Sequence, residues 1–226
     1  MSKVTKDAAQ LNLPEEKLLG DWIVCIPGFT LEKYRQLQRS HLSIFAMNCF
    51  GGVISNTLGL PFRAPFINLW FRQHEYIRLL RAPRVYMEEE LIFKTNGYEG
   101  NLKREYPIVI LGNIDVMMNH YINFDEAKSH WNKRRQRINW YNLFVTMYTE
   151  DEKTLEQFNE LPYGKKVCFV PFKSDLDSAW YINPEIDIIT PKNFGVNVLH
   201  FGYGNPFYYD IFDMLLYGKK TPLIDM

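Results

Sequence analysis

Short apolar, β-rich runs alternate with longer amphipathic stretches along this chain, the pattern of helices packed on a mostly parallel sheet. Thr30 is placed to cap a helix that puts Leu31, Tyr34 and Leu37 on one face. Ser43 to Met47 reads as a short buried strand. Asn48-Cys49-Phe50-Gly51-Gly52 then turns the chain into a second helix through about Leu58, where Gly59 and Pro61 end it. Phe66 to Phe71 predicts another strand. Gln73 to Leu80 returns to helical spacing, with Tyr76, Ile77 and Leu80 apolar. Between Arg84 and Glu105 the pattern is weak, and Val85 to Met87 and Leu91 to Phe93 fit short strands.

Pro107 to Leu111 is the clearest buried strand, because Ile108, Val109, Ile110 and Leu111 run without interruption. Asn123 followed by Glu126 has the spacing of a capping box, with Asn at the cap. The helix it opens places Phe124, Ala127, Trp131 and Ile138 on one stripe. Leu143 to Met147 and Lys166 to Phe172 are further strands, separated by an acidic helix near Asp151 to Leu161. Phe207 to Tyr217 predicts a closing helix. The expected fold is α/β: three layers, a mostly parallel sheet with helices on both faces, Rossmann-like, in a single domain over residues 1–226.

Composition narrows the partners. The 26 basic and 26 acidic residues cancel, which argues against nucleic acid, because phosphate binding shows as a basic excess. Cys25, Cys49 and Cys168 stand far apart with no CxxC pair, a pattern that suits a reducing cytoplasm better than a zinc site or a disulfide framework. Met1 to Leu13 mixes Lys, Asp, Gln and Asn, so no secretory apolar region shows there. The longest apolar stretch, Leu42 to Ile54, is broken by Asn48 and Gly51-Gly52 and falls short of the roughly 18 residues that span a bilayer. No membrane insertion is expected; peripheral association and oligomeric state stay open. The 15% aromatic content is read mainly as core packing, although aromatic faces also stack on sugar rings.

Three clusters could carry chemistry. At Gly51-Gly52, glycines let backbone N–H groups approach a ligand and the following helix points its positive end at anions. The alternative is a tight turn with close helix–sheet packing, since neither GxGxxG nor GxxxxGK[ST] is present. Asn48 and Asn56 add amides that both donate and accept. The second cluster is Asn113-Ile114-Asp115, whose oxygens have the spacing to help hold a divalent cation on a sugar nucleotide's phosphates. A turn in which Asn113 and Asp115 bond their local backbone is the favoured reading over a metal site. Asp115 is also a candidate base or hydroxyl-binding carboxylate, and His120, beside Tyr121, a candidate proton carrier or a structural histidine. The third is Trp131 to Asn139: on a helix, Trp131, Arg135 and Asn139 share one face, and Lys133 and Arg137 a solvated neighbouring stripe. Arg134 and Arg135 are read either as anion ligands or as internal pairing groups.

Taken together, several motifs resemble a bacterial family labelled exopolysaccharide biosynthesis protein, domain of unknown function 1919. They are Asn48-Cys49-Phe50-Gly51-Gly52, Leu58-Gly59-Leu60-Pro61-Phe62 with Pro65-Phe66, Pro107-Ile108, Ile114-Asp115, His120-Tyr121 and Phe124-Asp125-Glu126-Ala127. Trp131 with Arg134-Arg135, Arg137-Ile138-Asn139 and Asn142-Leu143-Phe144 complete the pattern. The similarity covers about residues 42–172 as a core, with a helical lead-in before it and an aromatic tail, Phe201 to Tyr209, beyond it.

The resemblance implies an α/β protein that makes or modifies surface polysaccharide, and it transfers no catalytic assignment. The expectation is therefore a transferase, glycosyltransferase-like, taking a nucleotide sugar or polysaccharide precursor. Gly51, Gly52, Arg134 and Arg135 would hold phosphates. Asn48, Asn56, Trp131, Asn139 and Asn142 would bind substrate, and Asp115 or His120 would supply acid–base help. A phosphate- or acyl-substituent transferase, or a non-catalytic partner of an assembly complex, are the alternatives.

Overall fold

A computed structural model describes residues 23–100, 103–183, 198 and 208–223. The lead-in before residue 23 and the tail run from Phe201 to Phe207 lie outside the described residues.

Two sheets replace the single one expected. The first is parallel, in the order β1 (Ser43–Ala46), β5 (Leu143–Tyr148), β6 (Lys166–Val170), β7 (Ala179–Tyr181). Its registers set Ile44 against Phe144, Val145 against Lys166 and Phe169 against Trp180. Because successive side chains alternate between faces, these strands feed two cores. Phe45, Met47, Val145, Met147, Cys168 and Val170 pack with α3 (Gln73–Arg81), α5 (Phe124–Arg135) and α6 (Glu152–Asn159). Ile44, Ala46, Phe144, Val167 and Phe169 pack with α1 (Leu31–Arg39), α2 (Phe50–Thr57) and α7 (Ile211–Tyr217). Helices thus bury both faces, which is why these strands read as near-continuous apolar runs.

The second sheet is an antiparallel meander inserted between β1 and β5: β2 (Leu91–Glu99), β3 (Arg104–Leu111) and β4 (Ile114–Met117). The uninterrupted Ile108 to Leu111 run predicted a strand buried on both faces, and here the structure differs. Val109 and Leu111 are buried, while Ile108 and Ile110 are only half-buried. An antiparallel sheet packs one face and leaves the other partly wet, so apolarity alone does not mark the parallel case.

Residues 66–71, expected as a strand, form instead a bent strap that joins the two sheets. Trp70 makes a single antiparallel bridge to Met117, with N–H···O distances of 2.9 and 3.0 Å, and the Phe71 N–H donates to the Met47 carbonyl at 2.8 Å. Asn68 in its middle has φ +63°, which breaks any extended run. Val85 to Met87, expected as a strand, lies in α4 (Pro83–Glu88), which opens on Pro83, a residue preorganised for the first helical turn. α5 stops at Arg135, so Ile138 and Asn139 leave the helical stripe on which the sequence placed them. β6 ends at Val170, and α7 starts at Ile211, capped by the Asp210 carboxylate.

Other local signals fold as read. The Thr30 hydroxyl accepts from the Lys33 N–H at 3.2 Å. The Asn123 side chain accepts from the Glu126 N–H at 2.9 Å, while the Glu126 carboxylate accepts from Ile122, one residue earlier than in a standard box. Among the described residues no helix is long and apolar enough to cross a membrane.

Candidate functional site

Where β1 ends, the Asn48 side chain accepts from the Phe50 N–H at 3.0 Å and starts α2. The two glycines of its first turn are where helix meets neighbour. A Cβ on Gly51 would come within 3.2 Å of Ile44 Cγ2 and 3.3 Å of Ala46 Cβ, and one on Gly52 within 3.2 Å of Ile67 Cγ2. Close packing therefore explains why both are glycine. The same approach leaves Gly52, Val53 and Asn56 along one wall of a cleft of about 460 Å3 beyond the carboxyl end of β1. Cys49, Phe62, Ile67, Asn68, His120 and Arg134 complete the lining.

Arg134 is its cation. The guanidinium donates to the Tyr121 hydroxyl at 2.7 Å and lies 5.3 Å from the centre of the Phe62 ring. Tyr121 in turn donates to the Ile67 carbonyl at 3.0 Å, so the group that positions Arg134 is itself fixed. Among the described residues no carboxylate forms a salt bridge with Arg134. A phenol and a ring face hold it in place and leave its charge uncompensated.

His120 stands across the cleft. Its backbone N–H bonds the Asn68 carbonyl at 3.3 Å, and its Nδ1 lies 3.0 Å from an Arg104 guanidinium nitrogen that also donates to the Asn119 carbonyl. An arginine only donates, so Nδ1 must carry the lone pair and the ring proton sits on Nε2. Burial, reinforced by the Arg104 charge, holds the imidazole below its ordinary pKa, with Glu99 opposing. His120 is therefore a neutral donor through Nε2, and protonation at Nδ1 conflicts with Arg104. Burial likewise pushes the Cys49 thiol up to about 11, so the sulfur stays protonated. Among the described residues no carboxylate lines the cleft. The arrangement offers a fixed positive charge, an imidazole N–H and the amides of Asn56 and Asn68, which suits an oxyanion.

The structure brings Gly52, Asn56, His120 and Arg134 together, with Asn48 and Gly51 behind them in the packing layer. It does not bring the remaining candidates there. Asp115 lies on β4, paired with Lys94 at 2.7 Å and Arg72 at 3.3 Å, and those partners hold its pKa down. Asn113 accepts from the Tyr86 hydroxyl at 2.6 Å. The proposed cation ligands are thus already engaged, and among the described residues no cluster of three or more His, Cys, Asp or Glu side chains could hold a metal. Trp131 is buried at 1% exposure against Phe66. Arg135 binds the carbonyls of Met87 and Glu89 and pairs with Glu90, tying α5 to the chain before β2. Asn139 and Asn142 bond the His41 and Ser40 carbonyls and hold the loop into β5.

Asn68, Phe62, Arg104 and Tyr121 were absent from the sequence-derived set. An asparagine inside the apolar run 66–71 was the one usable signal, because Asn tolerates positive φ better than its neighbours.

A family model described as a domain of unknown function (DUF1919) matches residues 24–197. The chain belongs to this family. The DUF1919 match spans both sheets and the entire cleft lining, and ends before α7. A Haemophilus influenzae (strain Rd) protein named only as uncharacterized is 29% identical over 185 residues, covering 79% of this chain and 84% of that protein.

Proposed function

We propose that the Arg134 cleft binds the phosphate of an activated sugar, and that the protein is a glycosyltransferase-like enzyme of exopolysaccharide or capsule biosynthesis. In this reading it works in the cytoplasm on a nucleotide sugar or polysaccharide precursor. The observation that carries it is an arginine held by Tyr121 and Phe62, with no carboxylate partner among the described residues, in a cleft that His120 also lines. The parallel sheet, taken as a Rossmann-like element, supports the location, because ligands of such sheets bind beyond strand carboxyl ends.

The chemistry follows from a cationic lining without a carboxylate among the described residues. The bond from the sugar's anomeric carbon to the phosphate oxygen breaks, and a bond to an acceptor hydroxyl oxygen forms. Arg134 and His120 Nε2–H stabilise the charge gathering on the departing phosphate. That phosphate takes the acceptor's proton, so no protein base is needed. Asn56 and Asn68 orient hydroxyls.

The experiment is a thermal-shift panel of nucleotide sugars, with and without magnesium or manganese, on the wild type and Arg134→Ala. At least one donor raises the wild-type Tm, and its affinity falls about tenfold or more in the variant, the scale of a charged hydrogen bond. No stabilisation by any donor, together with no turnover on lipid-linked acceptors, removes the proposal. The lack of a carboxylate in the cleft also favours a second reading, a non-catalytic partner of a polysaccharide assembly complex. That reading predicts donor binding without turnover.

A further inference from the structure

A second cleft lies at the other end of the parallel sheet. The carboxyl end of α3, the start of α4 and the segments entering β5 and β6 enclose about 560 Å3, which is within the range of ligand sites. Among the described residues no carboxylate lines it. Arg81 and Arg84 do, both exposed, and among the described residues neither forms a salt bridge with an acidic side chain. By contrast Lys33, Arg72, Lys94, Arg104, Lys128 and Arg135 all have carboxylate partners. Lys165 also borders the cleft, but its ammonium is committed to the Asn142 side chain and the Leu215 and Leu216 carbonyls at the end of α7. The unspent charge is that of the two arginines.

Aromatic rings stand beside them. The Arg84 guanidinium lies 4.4 Å from the centre of the Trp140 ring, and Tyr141 is 100% exposed. These rings sit on an ordered loop: the Asn139 side chain accepts from the Tyr141 N–H at 3.2 Å and donates to His41, and Asn142 donates to Ser40. Holding the Tyr141 ring in water on a fixed loop lowers the ordering cost when a ligand covers it.

The cleft also continues. A hollow of about 410 Å3 adjoins it and shares Arg84 and Trp140 as lining. A ligand that reaches past this pair into both is a chain rather than a single small molecule. Charge and rings together decide its kind: two arginines without salt bridges call for anionic groups and the exposed Tyr141 for a ring to cover it, while Glu88 in the second hollow keeps the anionic groups toward Arg81.

We propose that this groove binds an acidic oligosaccharide. Its carboxylates pair with the Arg81 and Arg84 forks, which match carboxylate geometry, and its sugar rings lie against Tyr141 and Trp140. The site is separate from the Arg134 cleft and does not depend on what that cleft binds.

Titration calorimetry on the full chain tests it, using tetragalacturonate, maltotetraose and a short oligodeoxythymidylate. Tetragalacturonate binds, and maltotetraose binds about tenfold or more weakly for want of charged hydrogen bonds. Arg81→Ala weakens tetragalacturonate alone, while Tyr141→Ala weakens both sugars. Both side chains are exposed, so the variants unfold at the wild-type temperature. No tetragalacturonate binding, equal binding of the neutral sugar, tighter binding of the oligothymidylate, or wild-type affinity in both variants overturns the proposal. Each of these results leaves the nucleotide-sugar panel on Arg134 untouched.

Discussion

His120 Nδ1 lies 3.0 Å from an Arg104 guanidinium nitrogen that also donates to Glu99 and Asn119, and because an arginine only donates, the imidazole proton is assigned to Nε2. Nitrogen-resolved NMR at pH 7 therefore finds the neutral Nε2–H tautomer. Burial and then the Arg104 charge lower the His120 pKa. In the window just below the unfolded value of about 6.5 the unfolded chain binds the extra proton, so stability falls as the pH drops through it. Arg104→Met raises the folded pKa and flattens that slope. A His120 titration unchanged in the variant refutes the assignment.

Gly51 and Gly52 respond differently to alanine. At Gly51 the new methyl meets Ala46 Cβ, which cannot move without the strand, as well as Ile44. Overpacking of about 1–3 kcal/mol outweighs the roughly 1 kcal/mol gained in helix propensity, and the variant loses stability. At Gly52 the nearest atoms belong to the Ile67 side chain, which can yield, so the two effects nearly cancel. Urea unfolding midpoints separate the pair, and an unaltered Gly51→Ala midpoint contradicts the packing account.

Cys49 borders the cleft yet is a poor nucleophile, because burial raises its pKa to about 11. Thiolate is scarce at pH 7.5 and grows only as the pH approaches that value. Mass-spectrometric footprinting with iodoacetamide at pH 7.5 finds Cys25, which is exposed, modified well before Cys49. The order reversed is the outcome that counts against it.

Asp115 is a structural ion-pair residue. Its depressed pKa, caused first by the Lys94 hydrogen bond, means its contribution is present above the unfolded value of about 3.9 and disappears as the pH falls through the lower folded value. Lys94 and Arg72 are 44% and 51% exposed, so solvent screening holds the cost of Asp115→Asn to about 1 kcal/mol or less, smaller still in high salt. Donor binding in the Arg134 cleft is unchanged in the variant. Loss of that binding with the fold intact returns Asp115 to the site.

What the sequence determined here is local. Thr30 and Asn123 cap the helices their spacing marks, because a cap needs only a side-chain oxygen and a nearby N–H. Ser43 to Met47 and Lys166 to Phe172 read as strands, realised over Ser43–Ala46 and Lys166–Val170, because burial on both faces demands apolar residues at nearly every position. Gly52, Asn56, His120 and Arg134 were visible as polar or glycine positions within specific motifs.

Tertiary structure decided which of these meet. Ile108 to Leu111 has the apolarity of a parallel strand but pairs antiparallel with its chain neighbours β2 and β4, since hydrophobicity does not encode direction. Arg134 and Arg135 are neighbours in sequence, yet one faces a cleft and the other binds Met87, Glu89 and Glu90, because adjacent helical positions point about 100° apart. Asp115 reads as a candidate base or hydroxyl-binding carboxylate, and the fold sets Arg72, just after the strap, and Lys94 of β2 against it. A side chain's charge is written in the sequence; whether that charge is already spent depends on partners that only folding brings within reach.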